Sequence, residues 1–503
     1  MVTILTPFGA VQGRTATGTF GPAEEFLGIP FAQAPQDGGR FRAPGKPARW
    51  DGVRTAHRHG PVCPQEPARA EGLVMDERGC LNLNVWKPAH PSGPLPVMVW
   101  LHGGAHLYGH NANPVNDGAL LAARYDVLVV APNYRLGALG HLNLEHLLGP
   151  EYADSANAAL LDVLAALRWV REAAAAFGGD PDNVTVFGQS AGAATVAALL
   201  AMPAADGLLR RAVMESGTGD RARSTEYGIE RTAELLALCG LDESGAAGLL
   251  TLPAERLVAA QEALVHRRGP ERPNLDITFQ PTLDPRTLPA VPVDAVAAGS
   301  GSDVDLIVGT NLNEASGYAP LDADGTEADA GLPARLAPGD FPQAPGLAEQ
   351  LPERLARLLG RPPRAAETVE AYLAEQMYRD PSQRLLDARA AARARTYSYL
   401  FTWSDPRSRA RRGSPHSLEV PFVFQTQAAE QARPDVGDDP PAALAGALGS
   451  YWTGFARTGV PSGDGLPPWP AYEPAGRWTA LLDDPVRMAS DPRRPVRELL
   501  EGR

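Results

Sequence analysis

The segment Asn183-Val184-Thr185-Val186-Phe187-Gly188-Gln189-Ser190-Ala191-Gly192 decides the fold of this 503-residue chain. A short apolar run leads into the pattern G-x-S-x-G, and an alanine-rich stretch follows at once. This order predicts a strand, a sharp turn and a helix, with Ser190 presented at the turn as a nucleophile. Glycine two positions on either side of the serine avoids a collision with the neighbouring strand and helix. The bare pattern also occurs by chance, so the prediction depends on the strand and helix around it.

Further short apolar runs alternate with longer helical stretches on both sides of this segment. The runs predict strands over 96–101, 126–131, 211–215, 304–308 and 396–402, and the clearest predicted helix covers 160–177. Because the runs are almost continuously apolar, they predict an α/β protein with a parallel sheet covered on both faces. Open sheets of this kind bind ligands at the carboxyl ends of their strands, which is where Ser190 is placed.

Composition excludes several classes of protein. The formal net charge is −13, which argues against a nucleic-acid partner, because phosphate contacts require a basic surface. Apolar residues make up 44% of the chain, enough for a large core, and three cysteines are too few for a disulfide scaffold. The sequence contains no membrane span and no recognisable signal peptide, so we expect a cytoplasmic protein. A secreted protein after removal of its leader would look the same.

A serine nucleophile needs a base and an orienting acid, and in such folds the acid precedes the histidine along the chain. Only His266 and His416 follow Ser190. His266 lies in a charged helix end, whereas His416 precedes an apolar segment, so His416 is the preferred base. Glu314 follows a predicted strand and is the preferred acid. Its rival, Asp284, precedes a proline, a position typical of a turn residue.

A glycine-rich loop after the strand at 96–101 is a candidate binding site for an oxyanion. The sequence His102-Gly103-Gly104-Ala105 is of the type whose backbone N–H groups stabilise a tetrahedral intermediate. The alternative is a tight turn at the end of the strand. Ala191, the residue after the nucleophile, would supply a further N–H donor.

Other motifs extend from one end of the chain to the other. They are Phe26-Leu27-Gly28-Ile29-Pro30, Cys80-Leu81-Asn82-Leu83-Asn84-Val85, Asn133-Tyr134-Arg135-Leu136-Gly137, Phe177-Gly178-Gly179-Asp180-Pro181 and His416-Ser417-Leu418-Glu419-Val420-Pro421-Phe422. In this order they resemble the type-B carboxylesterase family, which includes para-nitrobenzyl esterases and cholinesterases. The resemblance implies one α/β-hydrolase domain over 1–503, with a mostly parallel central sheet, helices on both faces and long insertions. The length alone would suggest about three domains.

The resemblance also implies roles for individual residues. Ser190 would be the nucleophile, His416 the base and Glu314 the orienting acid of a serine hydrolase that cleaves carboxylic esters. The implied oxyanion donors are Gly104, Ala105 and Ala191, and the implied supporting residues are Gly188, Gln189, Gly192 and Ser216. No metal or organic cofactor is implied, and the expected partner is a small-molecule ester. The alternatives are lipase or amidase activity on the same scaffold, and a non-catalytic binding protein, whose relatives typically lack the nucleophile.

The chain departs from the family pattern at several positions. Arg78-Gly79 stands where the family has Glu-Asp, so the acidic partner of an arginine near the N-terminus is expected to be missing. Gln189 replaces a common glutamate, which removes a negative charge beside the site. His106 replaces an aromatic residue after the oxyanion loop, and Ala315 replaces a glycine after the acid.

Three further expectations concern cysteines, aromatic residues and an insertion. Cys63 and Cys80 match positions that the family often bridges, and a reducing cytoplasm would leave them as thiols, while Cys239 is expected to be buried. The segment 64–79 lacks tryptophan and tyrosine, so a choline-ester specialist is not expected. The segment 315–395 begins with a Pro-, Gly- and acid-rich stretch, 315–363, which is either a solvated insertion or a lid over the cleft.

Overall fold

The computed structural model of the protein describes residues 1–33, 39–267, 277–317, 344, 346–405, 407 and 413–502. Its strands are β1 Val2–Thr6, β2 Gly9–Gly18, β3 Gly21–Pro30, β4 Val53–Thr55, β5 Asn82–Pro88, β6 Leu95–Leu101, β7 Leu128–Pro132, β8 Gly179–Gln189, β9 Arg211–Glu215, β10 Asp305–Asn311, β11 Thr396–Phe401, β12 Trp478–Leu482 and β13 Arg487–Ser490. The predicted strands are therefore present, with ends that differ by a few residues.

The α-helices follow the strands in the expected alternation. They are α1 Ala119–Tyr125, α2 Gly137–His141, α3 Glu145–Leu148, α4 Ala158–Ala173, α5 Ala191–Ala201, α6 Thr225–Leu238, α7 Ala254–Arg267, α8 Pro292–Ala297, α9 Leu347–Leu359, α10 Ala365–Ala374, α11 Asp380–Ala388, α12 Val420–Val423, α13 Arg433–Val436, α14 Ala442–Thr458 and α15 Arg494–Leu500. The helix predicted over 160–177 is α4, which continues as a 3-10 turn to Phe177 and ends at Gly178 with φ 84°. No helix in the described ranges is long and apolar enough to cross a membrane.

The strands form one sheet in the order β1-β2-β3-β5-β7-β6-β8-β9-β10-β11-β12-β13, with β4 beside β2. The strands from β7 to β12 run parallel, whereas the pairs at both ends of the order are antiparallel. This arrangement confirms the prediction of a mostly parallel α/β sheet. The carboxyl ends of β8, β9 and β10 lie side by side at its centre, and residues of the site follow each of them.

Side chains alternate between two cores, one on each face of the sheet. Val97 and Val99 of β6 point into the core that contains α4 and α5. Trp100 points to the opposite core, where it packs against Phe187 and Phe424 with ring centroids 4.9 Å apart in each case. Because both faces are covered, β6 and β8 are buried along most of their length, and the turn after β8 is held on a rigid support.

The segment 315–395 is helical over most of its described part. Helices α9, α10 and α11 lie in it, and residues 318–343 and 345 are outside the described residues, so the choice between insertion and lid stays a prediction. Leu351 and Leu355 of α9 share a small core with Val496 and Leu499 of α15. Between α10 and α11, the chain forms a π-helical turn, Glu375–Arg379, which reaches the candidate site described below.

Candidate active site

Ser190 sits at the turn between β8 and α5 in a conformation that non-glycine residues rarely adopt, with φ 57° and ψ −122°. Its N–H donates to the carbonyl of Glu215 at the end of β9 (2.9 Å), and its own carbonyl accepts from the N–H of Ala194 in α5 (2.9 Å). A backbone strained in this way costs about 1–3 kcal/mol and persists only where its surroundings impose it. Here the neighbouring strand and the helix impose it.

The glycines on either side of Ser190 are required because backbone atoms leave no room for a side chain. A Cβ at Gly192 would lie 2.0 Å from the carbonyl oxygen of Leu101 and 2.6 Å from that of His102. A Cβ at Gly188 would lie 2.8 Å from the Leu101 oxygen and from the carbonyl carbon of Gly192. The steric reason for the G-x-S-x-G pattern is therefore present in the structure.

We expect Gly192→Ala to destabilise the fold and to impair turnover together. Since the atoms in collision belong to the backbone of β6 and of the loop after it, either α5 or the oxyanion loop must move, at a cost of about 1–3 kcal/mol for an overpacked site. Chemical denaturation and p-nitrophenyl acetate turnover measure the two effects. The matched control is Gly93→Ala, where a Cβ meets nothing within 4 Å. Equal stability and activity in the two variants would contradict the steric argument.

Glu314 and His416, the residues favoured as acid and base, are in direct contact. His416 Nδ1 lies 2.6 Å from Glu314 Oε2, and Glu314 is fully buried. The other carboxylate oxygen accepts a hydrogen bond from the N–H of Asn311 (2.6 Å). The loops that carry the two residues are joined as well, because Asn313 N–H donates to the carbonyl of Ser414 (2.9 Å). Because the Glu314 carboxylate accepts a hydrogen bond, its contact with His416 holds the imidazole proton on Nδ1 and leaves the lone pair on Nε2.

Ser190 and His416 line the same cavity, of about 460 Å³, but within the described chain the Ser190 hydroxyl makes no hydrogen bond to the imidazole. Instead, the side-chain amide nitrogen of Gln189 lies 2.9 Å from His416 Nε2. The hydroxyl of Tyr378 is 3.5 Å from the same atom, and its ring packs against the imidazole at a tilt of 30°, with centroids 4.6 Å apart. Sequence reasoning missed both contacts.

The oxyanion loop has the backbone shape that its small residues allow. Gly104 has φ 120°, and a Cβ there would lie 2.0 Å from the carbonyl oxygen of Tyr108. Ala105 follows with φ 53°, and the turn is closed by Leu107 and Tyr108, whose N–H groups donate to the Gly104 carbonyl. Gly104 and Ala105 line the cavity that contains Ser190. Ala191 begins α5, so its N–H lies at the positive end of a helix.

Neutral histidines fill the space behind this loop. His102 stacks on Tyr134 with ring centroids 4.4 Å apart, and its carbonyl accepts from the Tyr134 hydroxyl (2.5 Å). His106 packs edge to face with His141 at 5.1 Å, so it fills the aromatic position expected after the loop. Burial lowers the pKa of both His102 and His141 to about 4, and it lowers the pKa of His106 well below the ordinary value. These rings therefore act as uncharged packing groups at neutral pH.

Two buried carboxyl groups lie behind the candidate triad, and sequence reasoning missed them. Glu215 Oε1 accepts from Trp452 Nε1 (2.7 Å), and Glu419 Oε2 accepts from Asn311 Nδ2 (2.5 Å). Burial raises the pKa of Glu419 to about 7, with a further contribution from Glu314. Burial, and then the charge of Glu419, raise the pKa of Glu215 well above the ordinary value. Each carboxyl keeps one buried oxygen without a hydrogen-bond partner among the described residues.

Because of the raised pKa of Glu419, we expect the free energy of unfolding to depend on pH, and we expect Glu419→Gln to weaken that dependence. The folded protein releases the Glu419 proton near pH 7, whereas the ordinary value is 4.5. Between these values only the unfolded chain is deprotonated, so the stabilisation present below pH 4.5 is lost as the pH rises through about 7. The full effect is on the order of 3 kcal/mol. Denaturation curves at several pH values should show that, as the pH rises over this range, the free energy of unfolding falls in the wild type relative to the variant. The control is Glu430→Gln, at an exposed position. If the free energy of unfolding of the wild type and of Glu419→Gln changed with pH in the same way, the expectation would be contradicted.

Ser216, for which the resemblance implied a supporting role, lies at the end of β9 beside the start of α5. Ser216 is fully buried with φ 53°, its N–H donates to the carbonyl of Gly309 (2.9 Å), and a Cβ on the next residue, Gly217, would lie 2.2 Å from Ala193 Cβ. The hydrogen bond of Ser216 and the close approach of Gly217 to Ala193 therefore hold the loop after β9 against the start of α5. Ala315 is buried and its N–H donates to Glu370 Oε1 (3.1 Å).

The rival residues have the structural roles that made them less favoured. Asp284 accepts from the N–H of Arg286 (3.2 Å) and from the Thr287 hydroxyl (2.8 Å), which are contacts within one turn. His266 is exposed near the end of α7. Neither residue lines the cavity that contains Ser190.

One expectation from the family pattern requires correction, and one open alternative is decided. Arg40 does have an acidic partner, because Glu77, one residue before Arg78, places Oε1 at 2.5 Å from Arg40 Nη2. Of the two states left open for Cys63 and Cys80, a disulfide or free thiols, the structure has buried free thiols. A hydrogen bond to Cys63, together with burial, raises the pKa of the Cys80 thiol well above its ordinary value. Cys80 therefore packs beside Cys63 as a neutral thiol. Cys239 is buried, as expected.

The sequence matches the model of the carboxylesterase family over residues 1–495. The chain belongs to the carboxylesterase family. It is 38% identical to the para-nitrobenzyl esterase of Bacillus subtilis (strain 168), over 99% of this chain and 98% of that protein. It is 31% identical to the human cocaine esterase, over 92% of this chain and 84% of that protein. This carboxylesterase is thus a hydrolase of carboxylic esters.

Solved structures of carboxylesterases have the same fold as this chain. The carboxylesterase EST55 of Geobacillus stearothermophilus superposes with a TM-score of 0.85 at 33% sequence identity, covering 99% of this chain and 100% of that one. A PNB esterase superposes with a TM-score of 0.81 at 36% identity, covering 99% of both chains. The α/β-hydrolase fold expected from the sequence motifs is therefore confirmed.

Proposed function

We propose that this carboxylesterase cleaves its ester through an acyl-enzyme on Ser190, with His416 as base and Glu314 as orienting acid. The observation that carries the proposal is the 2.6 Å contact between His416 Nδ1 and Glu314 Oε2, at the wall of the cavity into which Ser190 is presented. A carboxylate on Nδ1 fixes the tautomer whose Nε2 can accept a proton, and it stabilises the imidazolium that then forms.

Acylation proceeds as Ser190 Oγ bonds to the ester carbonyl carbon while its proton passes to His416 Nε2. The tetrahedral intermediate collapses, the bond from carbon to the alcohol oxygen breaks, and the imidazolium gives its proton to the leaving alcohol. Water repeats the sequence at the acyl-enzyme: His416 takes its proton, the hydroxyl bonds to the carbonyl carbon, and Ser190 leaves with that proton. The products are the carboxylic acid and the alcohol, and Ser190 is regenerated.

The N–H groups of Gly104, Ala105 and Ala191 would bind the oxyanion of each tetrahedral intermediate. The turn that carries Gly104 and Ala105 is closed through the Gly104 carbonyl, and neither of their own N–H groups donates to a backbone carbonyl of the described residues. A donor in such a site typically contributes about 3 kcal/mol to the stability of the transition state. The N-terminus of α5 adds the partial positive charge of its peptide dipoles.

The cavity around Ser190 favours a neutral ester over a cationic one. The Arg69 guanidinium lies over the ring of Tyr108, with its central carbon 4.4 Å from the ring centroid, and both residues line the cavity. A cation from the protein thus already covers this aromatic face, which a quaternary ammonium substrate would need. This contact supports the expectation that the chain is not a choline-ester specialist.

The experiment that tests the function is a substrate series with the wild-type protein. p-Nitrophenyl acetate, butyrate and octanoate are assayed in solution and with a micellar interface, beside a p-nitroanilide of the same acyl group. Turnover of the soluble short esters, together with stoichiometric labelling by an organophosphate, is the expected result. Activity that appears only at the interface indicates a lipase, and comparable anilide turnover indicates an amidase. Labelling without any turnover would overturn the proposal.

The cytoplasmic location stays a prediction from the sequence.

A further inference from the structure

We propose that Gln189 and Tyr378 are positioning residues for the imidazole of His416, and that the Gln189 amide holds Nε2 until Ser190 engages it. The proposal rests on the proposed role of His416 as base. Its observations are the contacts at Nε2, where the Gln189 amide nitrogen lies at 2.9 Å and the Tyr378 hydroxyl at 3.5 Å. The two side chains reach the imidazole from different elements, the end of β8 and the π-helical turn.

The direction of the Gln189 hydrogen bond follows from the tautomer. Glu314 holds the proton of His416 on Nδ1, so Nε2 carries a lone pair and can only accept. The amide N–H of Gln189 is therefore the donor. This lone pair is the one that must receive the Ser190 proton, so in the free protein the amide competes with the serine hydroxyl for it.

The chain is built to hold Gln189 in this place. Gln189 is 5% exposed, and a Cβ on Gly103 would lie 2.6 Å from Gln189 Oε1, so the glycine of the oxyanion loop leaves room for the amide. An amide has a second property that suits the site. By rotating, it can offer its oxygen to the N–H of an imidazolium, so one side chain can contact both protonation states of His416.

Tyr378 supports the opposite side of the imidazole. Its ring is 4% exposed and lies 4.6 Å from the imidazole at an angle of 30°. The next residue, Arg379, donates to the carbonyls of Asn311 (3.0 Å) and Leu312 (2.8 Å) on the loop that leads to Glu314. The π-helical turn thus contacts the base through one residue and the loop of the acid through the next. Such turns interrupt α-helices most often at functional sites.

Among the described residues, the titratable groups in contact with the imidazole or coupled to its charge are Glu314 after β10, Glu419 before α12 and Tyr378 on the π-helical turn. Arg69, His102, His110 and Asp435 line the same cavity. Gln189 is the uncharged group at Nε2. Gln189→Glu would place a carboxylate there with little change in shape. Because a carboxylate favours the imidazolium, the acid limb of the pH profile of kcat/KM should move to higher pH by about one unit.

The test compares pH profiles of kcat/KM for p-nitrophenyl acetate between the wild type, Gln189→Glu and Gln189→Met. The methionine variant fills the space without a hydrogen bond and should keep its acid limb near that of the wild type. Its kcat should fall several-fold, because the loss of orientation of the imidazole outweighs the end of the competition for Nε2. Thermal denaturation checks that each variant is folded. Acid limbs that coincide in the wild type and Gln189→Glu would overturn the inference, as would full kcat in Gln189→Met. An inactive wild type would instead refute the proposed function.

Tyr378 is tested by Tyr378→Phe and Tyr378→Ala. We expect phenylalanine, which keeps the stacked ring, to retain most of kcat, and alanine to lose at least about tenfold with little change in KM. A tenfold loss corresponds to about 1.4 kcal/mol at the transition state. Equal activity of the alanine and phenylalanine variants would show that the ring does not position the imidazole.

Discussion

Ser190→Ala is expected to reduce kcat for p-nitrophenyl acetate by about 10,000- to 1,000,000-fold, because the variant has no atom that can form the acyl-enzyme. The variant keeps the proposed oxyanion donors as well as His416 and Glu314. The fall in kcat therefore measures the contribution of the nucleophilic oxygen and not a change in the cavity. Labelling by an organophosphate should disappear in parallel, since it forms a bond to the same oxygen. Turnover and intact mass after labelling are the two measurements.

The matched control for this experiment is Ser244→Ala, at an exposed position near the start of the 3-10 helix Glu243–Leu250. It should keep wild-type turnover and label with one equivalent. The Ser190→Ala protein should also retain its denaturation midpoint, because its only change is an oxygen atom that makes no hydrogen bond to the described residues. Substantial turnover in folded Ser190→Ala, at a level above a mock purification, would refute the assignment of the nucleophile.

The proposed nucleophile could be predicted from the sequence because its signal is a short, continuous pattern. The flanking strand and helix could be recognised from hydrophobic patterning, and the glycines at 188 and 192 stand at fixed positions around Ser190. The steric reason for the glycines is not local, because the backbone they avoid includes the Leu101 carbonyl of β6, far away in the sequence. The pattern therefore leads to Ser190 without knowledge of the fold, whereas its physical cause becomes visible only in the fold.

His416 and Glu314 could be chosen by chain order, but their surroundings could not be predicted. Gln189 and His416 are 227 residues apart, and their contact depends on how the loop before α12 packs over the end of β8. Hydrophobic patterning places a strand or a helix and does not say which polar side chains meet across it. The contact of Tyr378 with His416 was still harder to predict, because a π-helical turn has no recognised sequence signal.

The buried carboxyl groups were missed for a related reason. Glu215 is the last residue of the strand predicted over 211–215, and a charged residue at the end of a buried strand is usually assumed to reach water. In the fold it is covered by α14, where Trp452 supplies its hydrogen bond. The same limit applies to Arg40, whose partner Glu77 lies one residue away from the position that the family pattern indicated.

Glu314→Gln is expected to lower kcat by about 1,000- to 10,000-fold while leaving the fold intact. The fully buried carboxylate accepts the Nδ1–H of His416 at 2.6 Å, and a glutamine can present its NH₂ group to that nitrogen instead. This would move the imidazole proton to Nε2, which could then no longer take the proton of Ser190. The variant also lacks the negative charge that stabilises the imidazolium in the transition state.

The control for this variant is Asp284→Asn, at the rival position for the acid. Asp284 takes part in a turn with Arg286 and Thr287 and does not line the cavity that contains Ser190, so its replacement should leave kcat near the wild-type value. Steady-state kinetics and denaturation of both variants separate catalysis from folding. If Asp284→Asn lost activity and Glu314→Gln kept it, the acid would be misassigned, and the 2.6 Å contact would have only a structural role. Loss of kcat in Glu314→Gln alone, with KM and stability preserved, would instead identify the carboxylate as the group that sets the tautomer of the base.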